Sequence, residues 1–354
     1  MTEEKRMGNR RMARFFTVLA AYAVITLGLP LLCAAMVAFF QKNTVQLPQE
    51  QPGFPEAAQQ TPLQDETAGE SAAQTALLWD AGTDTLLELP MQEYLLGAAA
   101  SEMPQSFPDE AIKAQIIAAH SYYEYCRRNA CFDLEQGAVL QVNTQRREGY
   151  LTPQVREQLW GDWTQQNTQR MQQLTDAAGG LLLTYAGEPA AACYHAQSAG
   201  STAAAQDIWG EAVPYLVSVD SSQDKQADGW QQTLTFTYQQ MYDVLAARFV
   251  GPDLSGDPTT WFDGVQATPQ GYVQKLQAGG AWIDAADLRA WLGLRSTCME
   301  ISAGSGVFAV TTRGYGHGVG MSQHGAAAMA QAGASFEQIL SHYYPGTQLS
   351  AAAL

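Results

Sequence analysis

The sequence predicts an α+β protein: a single-pass N-terminal transmembrane helix followed by a mixed α+β extracytoplasmic domain. Three observations carry that expectation. One uncharged apolar run near the N-terminus is long enough to cross a bilayer. Beyond residue 76, strand-like and helix-like segments follow one another without regular βαβ alternation. No internal repeat organises them.

The apolar run, residues 15–40, reads FFTVLAAYAVITLGLPLLCAAMVAFF, 26 residues without a charge, where about 20 suffice to span a bilayer. Lys5, Arg6, Arg10, Arg11 and Arg14 precede it, against Glu3 and Glu4. That basic tail, residues 1–14, is therefore expected in the cytoplasm. A cleaved signal peptide is the competing reading, but its apolar region runs to only about 7–15 residues, so a retained anchor in the cell membrane fits better. Residues 41–76 are rich in Gln, Pro, Glu, Ala and Thr and poor in large apolar side chains. Such a stretch cannot bury enough surface to offset the entropy of ordering, and it reads as a disordered linker. The globular domain is expected over residues 77–350.

Within that domain, TALLWDAGTDTLLELP predicts two short strands around a Gly-Thr turn. A short helix is expected from Met91 to Ser101, with Pro90 at its first turn and Pro104 ending it. A second runs from about Pro108 to Arg127, with Ser106 and Asp109 as a capping pair. Ile112, Ile116, Ala119, Tyr123 and Cys126 recur on one of its faces at helical spacing. Strands are expected in GLLLTYAG, AACYHA, QTLTFTY, CMEISA and VFAVTTR. MSQHGAAAMAQAG reads as a helix stopped by Gly333. Ser335 and Gln338 then cap SFEQILSHYY, which Pro345 ends.

Charge narrows the function. The chain carries a net −16, and removing the basic tail leaves 14 basic and 33 acidic residues. So acidic a body repels phosphate backbones, which excludes nucleic acid, and it disfavours tight docking to anionic lipid or teichoic acid. It tolerates a neutral or weakly charged polymer such as a glycan. Cys33 lies in the apolar run, and Cys126, Cys131, Cys193 and Cys298 lack the regular spacing of a disulfide scaffold. Cys126 and Cys131 are close enough in sequence to pair, but spacing alone does not establish it.

Three clusters have the residue types for chemistry. In residues 100–123, Glu102 falls at a helix C-terminus, whose partial negative charge should push a carboxyl pKa upward. A carboxyl protonated near neutral pH is what a general acid needs. Lys113 and His120 are expected on a shared face of the next helix with Ile117 and Glu124, about 10 Å apart, lining a cleft entered by Glu102. A solvated helix end with ordinary surface charges accounts for the same residues. In residues 193–210, a strand leads into His195 and then Ser198, Gly200, Ser201 and Thr202, donors and acceptors suited to sugar hydroxyls; a Ser/Gly turn is an equal account. Cys193 and His195 are two metal-ligand types, but two ligands are not a site. In residues 313–330, Gly314, Gly316, Gly318 and Gly320 alternate, with His317, Ser322, Gln323 and His324 beside them. The spacing does not fit a dinucleotide loop and suggests close backbone packing or a groove wall.

At these residues the chain resembles a known family. ASEMPQSFPDEAIKAQIIAAHSYY, YHAQSAGSTAAAQDIWG, LRAWLGLRSTCMEI and GYGHGVGMSQHGAAAMAQAGASFEQILSHYYPGT occur in that order and are similar to the stage II sporulation protein D family over about residues 78–350. The resemblance implies a peptidoglycan lytic transglycosylase with a mixed α+β catalytic domain. It makes Glu102 the catalytic acid and base, acting on the MurNAc–GlcNAc bond of glycan strands stripped of stem peptides. It implies a partner amidase that removes those peptides during sporulation engulfment. The candidate substrate contacts are then Lys113, His120, Tyr194, His195, Ser198, Ser201, Thr202, His317, Ser322 and Gln323. His120 stands where the family usually has Arg, so grip or pH dependence should differ. Some members bind zinc through Cys and His in the following segment; here CFDLEQGAVLQVN offers only Cys131, and no metal or cofactor is expected. Two alternatives remain: a non-catalytic activator of a cell-wall amidase, and a muramidase that uses water, for which Asp207 or Glu110 would be second acids.

Overall fold

The computed structural model of the chain describes residues 75–249 and 251–352. The expected cytoplasmic tail, the transmembrane anchor and the linker up to residue 74 lie outside them. Among the described residues no helix is long and apolar enough to cross a membrane.

The described part is a mixed α+β structure with five small sheets in two lobes, and one long helix lies at the centre of the first lobe. Strands β1 (Thr75–Asp80) and β2 (Thr85–Pro90) form an antiparallel hairpin, and β2 runs directly into helix α1 (Met91–Glu102). Helix α2 spans Asp109–Asn129 and stops at Ala130, which takes the left-handed conformation at φ 45°. Strand β3 (Leu140–Val142) adds parallel to β1. Helices α3 (Pro153–Trp160) and α4 (Thr164–Ala178) precede β4 (Leu181–Tyr185) and β5 (Glu188–Pro189). Next come the two-residue strand β6 (Tyr194–His195) and the short helix α5 (Ala205–Trp209).

A second lobe follows, with strands β7 (Gln231–Thr237), β8 (Phe262–Ala267), β9 (Val273–Ala278), β10 (Ala281–Asp284), β11 (Met299–Gly304) and β12 (Val307–Arg313). Helices α6 (Tyr238–Arg248) and α7 (Ala285–Leu292) interrupt them. The chain then returns to the first lobe as β13 (Met321–Ser322), α8 (Gln323–Gln331), α9 (Phe336–Tyr343) and β14 (Gln348–Ala351). Each lobe has its own core. Met241, Leu245, Leu276, Ile283, Leu288, Phe308 and Val310 fill the second.

Helix α2 organises the first lobe. Fourteen of its 21 residues are buried, because α1, α4, α8, α9 and β4 surround it. A helix apolar nearly all round is one with no solvent face. The expected face of Ile112, Ile116, Ala119, Tyr123 and Cys126 is buried, but so are Ile117, His120 and Glu124 on another face. The face of Lys113, Ile117, His120 and Glu124 expected to line a cleft is therefore corrected: Ile117, His120 and Glu124 are interior, and Lys113 is partly exposed. Truncating Ile116 to Ala at such a position should cost about 2–5 kcal/mol.

The local signals fared unevenly. Ser335 and Gln338 close a reciprocal capping box on α9 as expected. Ser106 does not cap α2, whose N-cap is Pro108, extended at φ −61°, ψ 150° with no side-chain bond. The expected AACYHA strand shrinks to β6, and MSQHGAAAMAQAG begins with β13 before turning helical. Cys126, Cys131, Cys193 and Cys298 are free and buried.

Candidate active site

Glu102 is the last residue of α1. Pro104 disfavours helical geometry at the residue before it, and Met103 is extended at φ −122°, ψ 133°. The chain turns through Pro104–Phe107 and re-enters helix at Asp109. This break leaves the Glu102 side chain at the junction of three elements. Gln115 comes from α2. Gln323, first residue of α8, places its Nε2 3.4 Å from Glu102 Oε2 and 3.3 Å from Gln115 Oε1. Glu148, from the segment between β3 and α3, acts on Glu102 through its charge.

The residue is half-buried, so solvent reaches it, while protein atoms crowd its carboxyl. Burial is the main reason its pKa is pushed up to about 7; the Glu148 charge adds to the rise, and hydrogen bonds from Gln323 and Ser101 oppose it. The upward direction expected from the helix end is found, but desolvation dominates it. Gln115 Nε2 and Glu148 Oε2, both buried, have no hydrogen-bond partner. The site thus presents a carboxyl whose pKa is raised toward neutrality, with an unspent donor on Gln115, which shares Gln323 with it.

The second and third sequence clusters are brought together as a scaffold. Strands β6 and β13 pair in parallel, Met321 with Tyr194 and Ser322 with His195. His324 N donates to Ala196 O at 3.1 Å, and Gln197 bridges to Tyr315. Asp224, fully buried, ties both clusters: it accepts from Ser198 N, Ser221 Oγ and Ser322 Oγ at 2.8–2.9 Å. The alternating glycines serve close backbone packing. A Cβ on Gly320 would lie 2.0 Å from Cys193 O, and Gly320 has φ +72°. This knot carries Gln323 to Glu102.

The candidate contacts take distinct places. Lys113 pairs with Glu110 at 2.7 Å and lies over the Phe336 ring, 5.7 Å from its centroid. Glu110 also accepts from Phe336 N, so Lys113 is committed to the α2–α9 contact. His120 is fully buried beside the backbone of Gly179 and Leu181, and burial lowers its pKa. A sealed, neutral ring offers a polymer neither surface nor charge, so in this conformation His120 is a core residue.

Ser198, Thr202 and Ser322 are fully buried as well. Thr202 Oγ1 accepts from Val219 N, Ser198 Oγ accepts from Gly200 N, and Ser322 Oγ caps α8 by accepting from Gly325 N. Their hydroxyls hold backbone in place, where the sequence suggested sugar contacts. His195 and His317 sandwich Val319: His195 Nδ1 is 3.0 Å from its carbonyl, and Val319 N donates to His317 Nδ1 at 3.0 Å. Both are buried, and burial holds both pKa values well below the usual imidazole value. Tyr194 and Ser201 are half-buried. Of the candidates, Gln323 is the one with a hydrogen bond to Glu102 among the described residues. Among the described residues no group of three or more His, Cys, Asp or Glu is arranged to hold a metal ion.

Sequence reasoning missed Gln115, Glu148 and Asp224. Gln115 lay inside the first cluster, and a helix register drawn from Tyr123 through Ala119 would have pointed to it. Glu148 and Asp224 act over long sequence separations and carry no local signal.

The fold and the site define a mixed α+β protein with a half-buried carboxyl whose pKa is raised toward neutrality. Comparison with known proteins places it further. The family model for stage II sporulation protein matches residues 80–185. Over 265 residues the chain is 34% identical to stage II sporulation protein D of Bacillus amyloliquefaciens, covering 75% of each. It is 35% identical over 268 residues to stage II sporulation protein D of Bacillus subtilis (strain 168), again covering 75% of each. The chain belongs to the stage II sporulation protein D family. It is also 28% identical over 310 residues to the amidase enhancer of Bacillus subtilis (strain 168), covering 72% of this chain and 40% of that protein.

Proposed function

We propose that this chain is a membrane-anchored lytic transglycosylase that cleaves the MurNAc–GlcNAc bond of peptide-stripped peptidoglycan. The observation that carries the reading is the Glu102 carboxyl, half-buried and with its pKa pushed up to about 7. Such a group exchanges its proton readily in both directions at neutral pH. As acid, Glu102 protonates the glycosidic oxygen as its bond to MurNAc C1 breaks, releasing the GlcNAc side as an alcohol. The resulting carboxylate takes the proton of the C6 hydroxyl on the same MurNAc, whose oxygen bonds to C1. A 1,6-anhydro ring closes, Glu102 is protonated again, and no water is consumed. Gln323, bonded to the same carboxyl, favours its ionised form midway through the cycle.

The acidic body suits a polymer without phosphates. The apolar run at residues 15–40 would hold the domain outside the cell membrane with its N-terminus in the cytoplasm. The family's sporulation name supports a role in engulfment, with a cell-wall amidase as partner that strips the stem peptides.

Likeness to the amidase enhancer favours a second reading, in which the domain binds glycan and speeds an amidase without cleaving. Mass spectrometry of products from the full chain and peptide-free glycan strands separates the two. Anhydro-ended fragments support the transglycosylase. Intact strands, with faster stem-peptide release once an amidase is added, support the activator.

A further inference from the structure

Gln115 is a polar residue in an apolar stretch of α2. Ala111, Ile112 and Ala119, one helical turn to either side, are buried, and Gln115 itself is 0% exposed. Its Nε2 has no hydrogen-bond partner. An unpaired donor in the interior is costly, and leucine or methionine would fill the same space without that cost. What the amide supplies in return lies at its other end. Gln115 Oε1 accepts from Gln323 Nε2 at 3.3 Å, and the same Nε2 donates to Glu102 Oε2 at 3.4 Å. An amide nitrogen carries two hydrogens, so one Nε2 serves both acceptors.

The two ends of an amide are nearly alike in shape, so packing alone does not decide which end of Gln323 faces the carboxyl. The acceptors decide it. A turned Gln323 would set its Oε1 against Gln115 Oε1 and against Glu102 Oε2. Each of the two observed bonds is at the long end of the usual range, so neither alone holds the amide firmly. The orientation matters to the proton. Nε2 toward Glu102 favours the carboxylate, whereas Oε1 toward it would accept from the protonated carboxyl and favour that form.

We propose that Gln115 is a positioning residue: its Oε1 keeps the Gln323 amide turned with Nε2 toward Glu102, so that the site supports the carboxylate that takes the C6 proton. The proposal deepens the transglycosylase reading and rests on it for its catalytic meaning. Fully buried, Gln115 acts through Gln323. The groups whose charge reaches Glu102 are Glu148, between β3 and α3, and Tyr94 of α1. Lys113 of α2 is paired with Glu110, Arg170 of α4 is paired with Asp109, and the His324 ring of α8 packs edge-on against Phe107. Replacing Gln115 leaves each of these in place.

The test is a double-mutant cycle read on the Glu102 proton. The full chain carrying 13C-carboxyl glutamate is titrated by NMR from pH 4 to 9, with the Glu102 resonance assigned by its loss in Glu102→Gln. Gln115→Met and Gln115→Leu both keep bulk and remove the acceptor, so one remains readable if the other packs badly. In either, the Glu102 midpoint should rise by roughly half a pH unit, part of what a hydrogen bond to a charged group supplies. In the Gln323→Leu background the same substitutions should add nothing, since no amide remains to be turned. An unmoved midpoint in a folded variant overturns the proposal. So does a rise that persists in the Gln323→Leu background, which would mark an effect of packing. The titration involves no turnover, so failure of every form to cleave glycan would count against the transglycosylase alone. If glycan is cleaved, the alkaline limb of kcat/KM should move up with the midpoint, while a merely structural role would lower activity evenly across pH.

Discussion

Gln323 Nε2 stands 3.4 Å from Glu102 Oε2, joining the first residue of α8 to the last of α1 across 221 positions of sequence. The amide donates to the carboxyl and so favours its ionised form, against the burial that favours the neutral one. Gln323→Leu removes the donor while keeping bulk. The Glu102 pKa should then rise above about 7, moving the alkaline limb of the pH–rate profile upward. The rate itself should drop roughly tenfold, about 1.4 kcal/mol, as the carboxyl loses its anchor. A profile that keeps its limb would show that the contact does not govern the proton.

The same carboxyl makes stability depend on pH. Its folded pKa of about 7 lies above the ordinary 4.5, so the folded state binds the proton more tightly. That contribution is fully present below pH 4.5 and is lost as pH rises through about 7. Two and a half pH units would correspond to about 3 kcal/mol, reduced to about 2 by the solvent that reaches the residue. Glu102→Gln should therefore be more stable than the native chain by about 2 kcal/mol at pH 8 and equal to it at pH 4. Urea unfolding at the two pH values checks both statements.

His195 and His317 act in the opposite direction. Burial depresses both; the His317 ring further disfavours charge on His195, and nearby Arg289 further disfavours it on His317. A base with a lowered folded pKa contributes stability that is intact above its ordinary 6.5 and is lost as pH falls below it. The domain should lose stability steadily from pH 6.5 toward 4. His195→Asn keeps an amide donor for Val319 O and cannot be protonated, so it should flatten that acid slope. An unchanged slope would assign acid unfolding to other groups.

Gly320 tests the backbone knot. Its left-handed φ and the 2.0 Å approach to Cys193 O leave no room for Cβ. Gly320→Ala should cost at least about 3 kcal/mol, combining conformational strain with a backbone clash. Gly306, at φ +83° in the β11–β12 turn, has nothing within 4 Å; Gly306→Ala should cost only about 1–2 kcal/mol. Thermal melts of the two variants should differ accordingly.

These contrasts show which parts of the molecule were legible in its sequence. Local rules found the β1–β2 hairpin, the end of α1 at Pro104 and the α9 capping box, because each rests on neighbouring residues. Alternating glycines gave the close approach of β6 and β13. The environment of α2 was not legible: α1, α4, α8, α9, β4 and β5 all pack on it, and period alone does not say how many faces of a helix are buried. His120 was therefore expected at a cleft and found in the core. Ser198, Thr202 and Ser322 read as sugar contacts because hydroxyls look alike in a sequence whether they meet a ligand or a backbone amide. Asp224 and Glu148 depend on partners tens of residues distant. In the second lobe, α6, α7 and β8–β10 went unread, since their short segments alternate too weakly to mark.

The central claim is that one carboxyl serves as both acid and base and that the C6 hydroxyl takes the place of water. Cleavage of peptide-free glycan by the full chain in water enriched in 18O tests it most directly. The account predicts anhydro-ended MurNAc without 18O, formed by the native chain and absent with Glu102→Gln. Uptake of 18O at the new MurNAc end, or undiminished cleavage by Glu102→Gln, would contradict it.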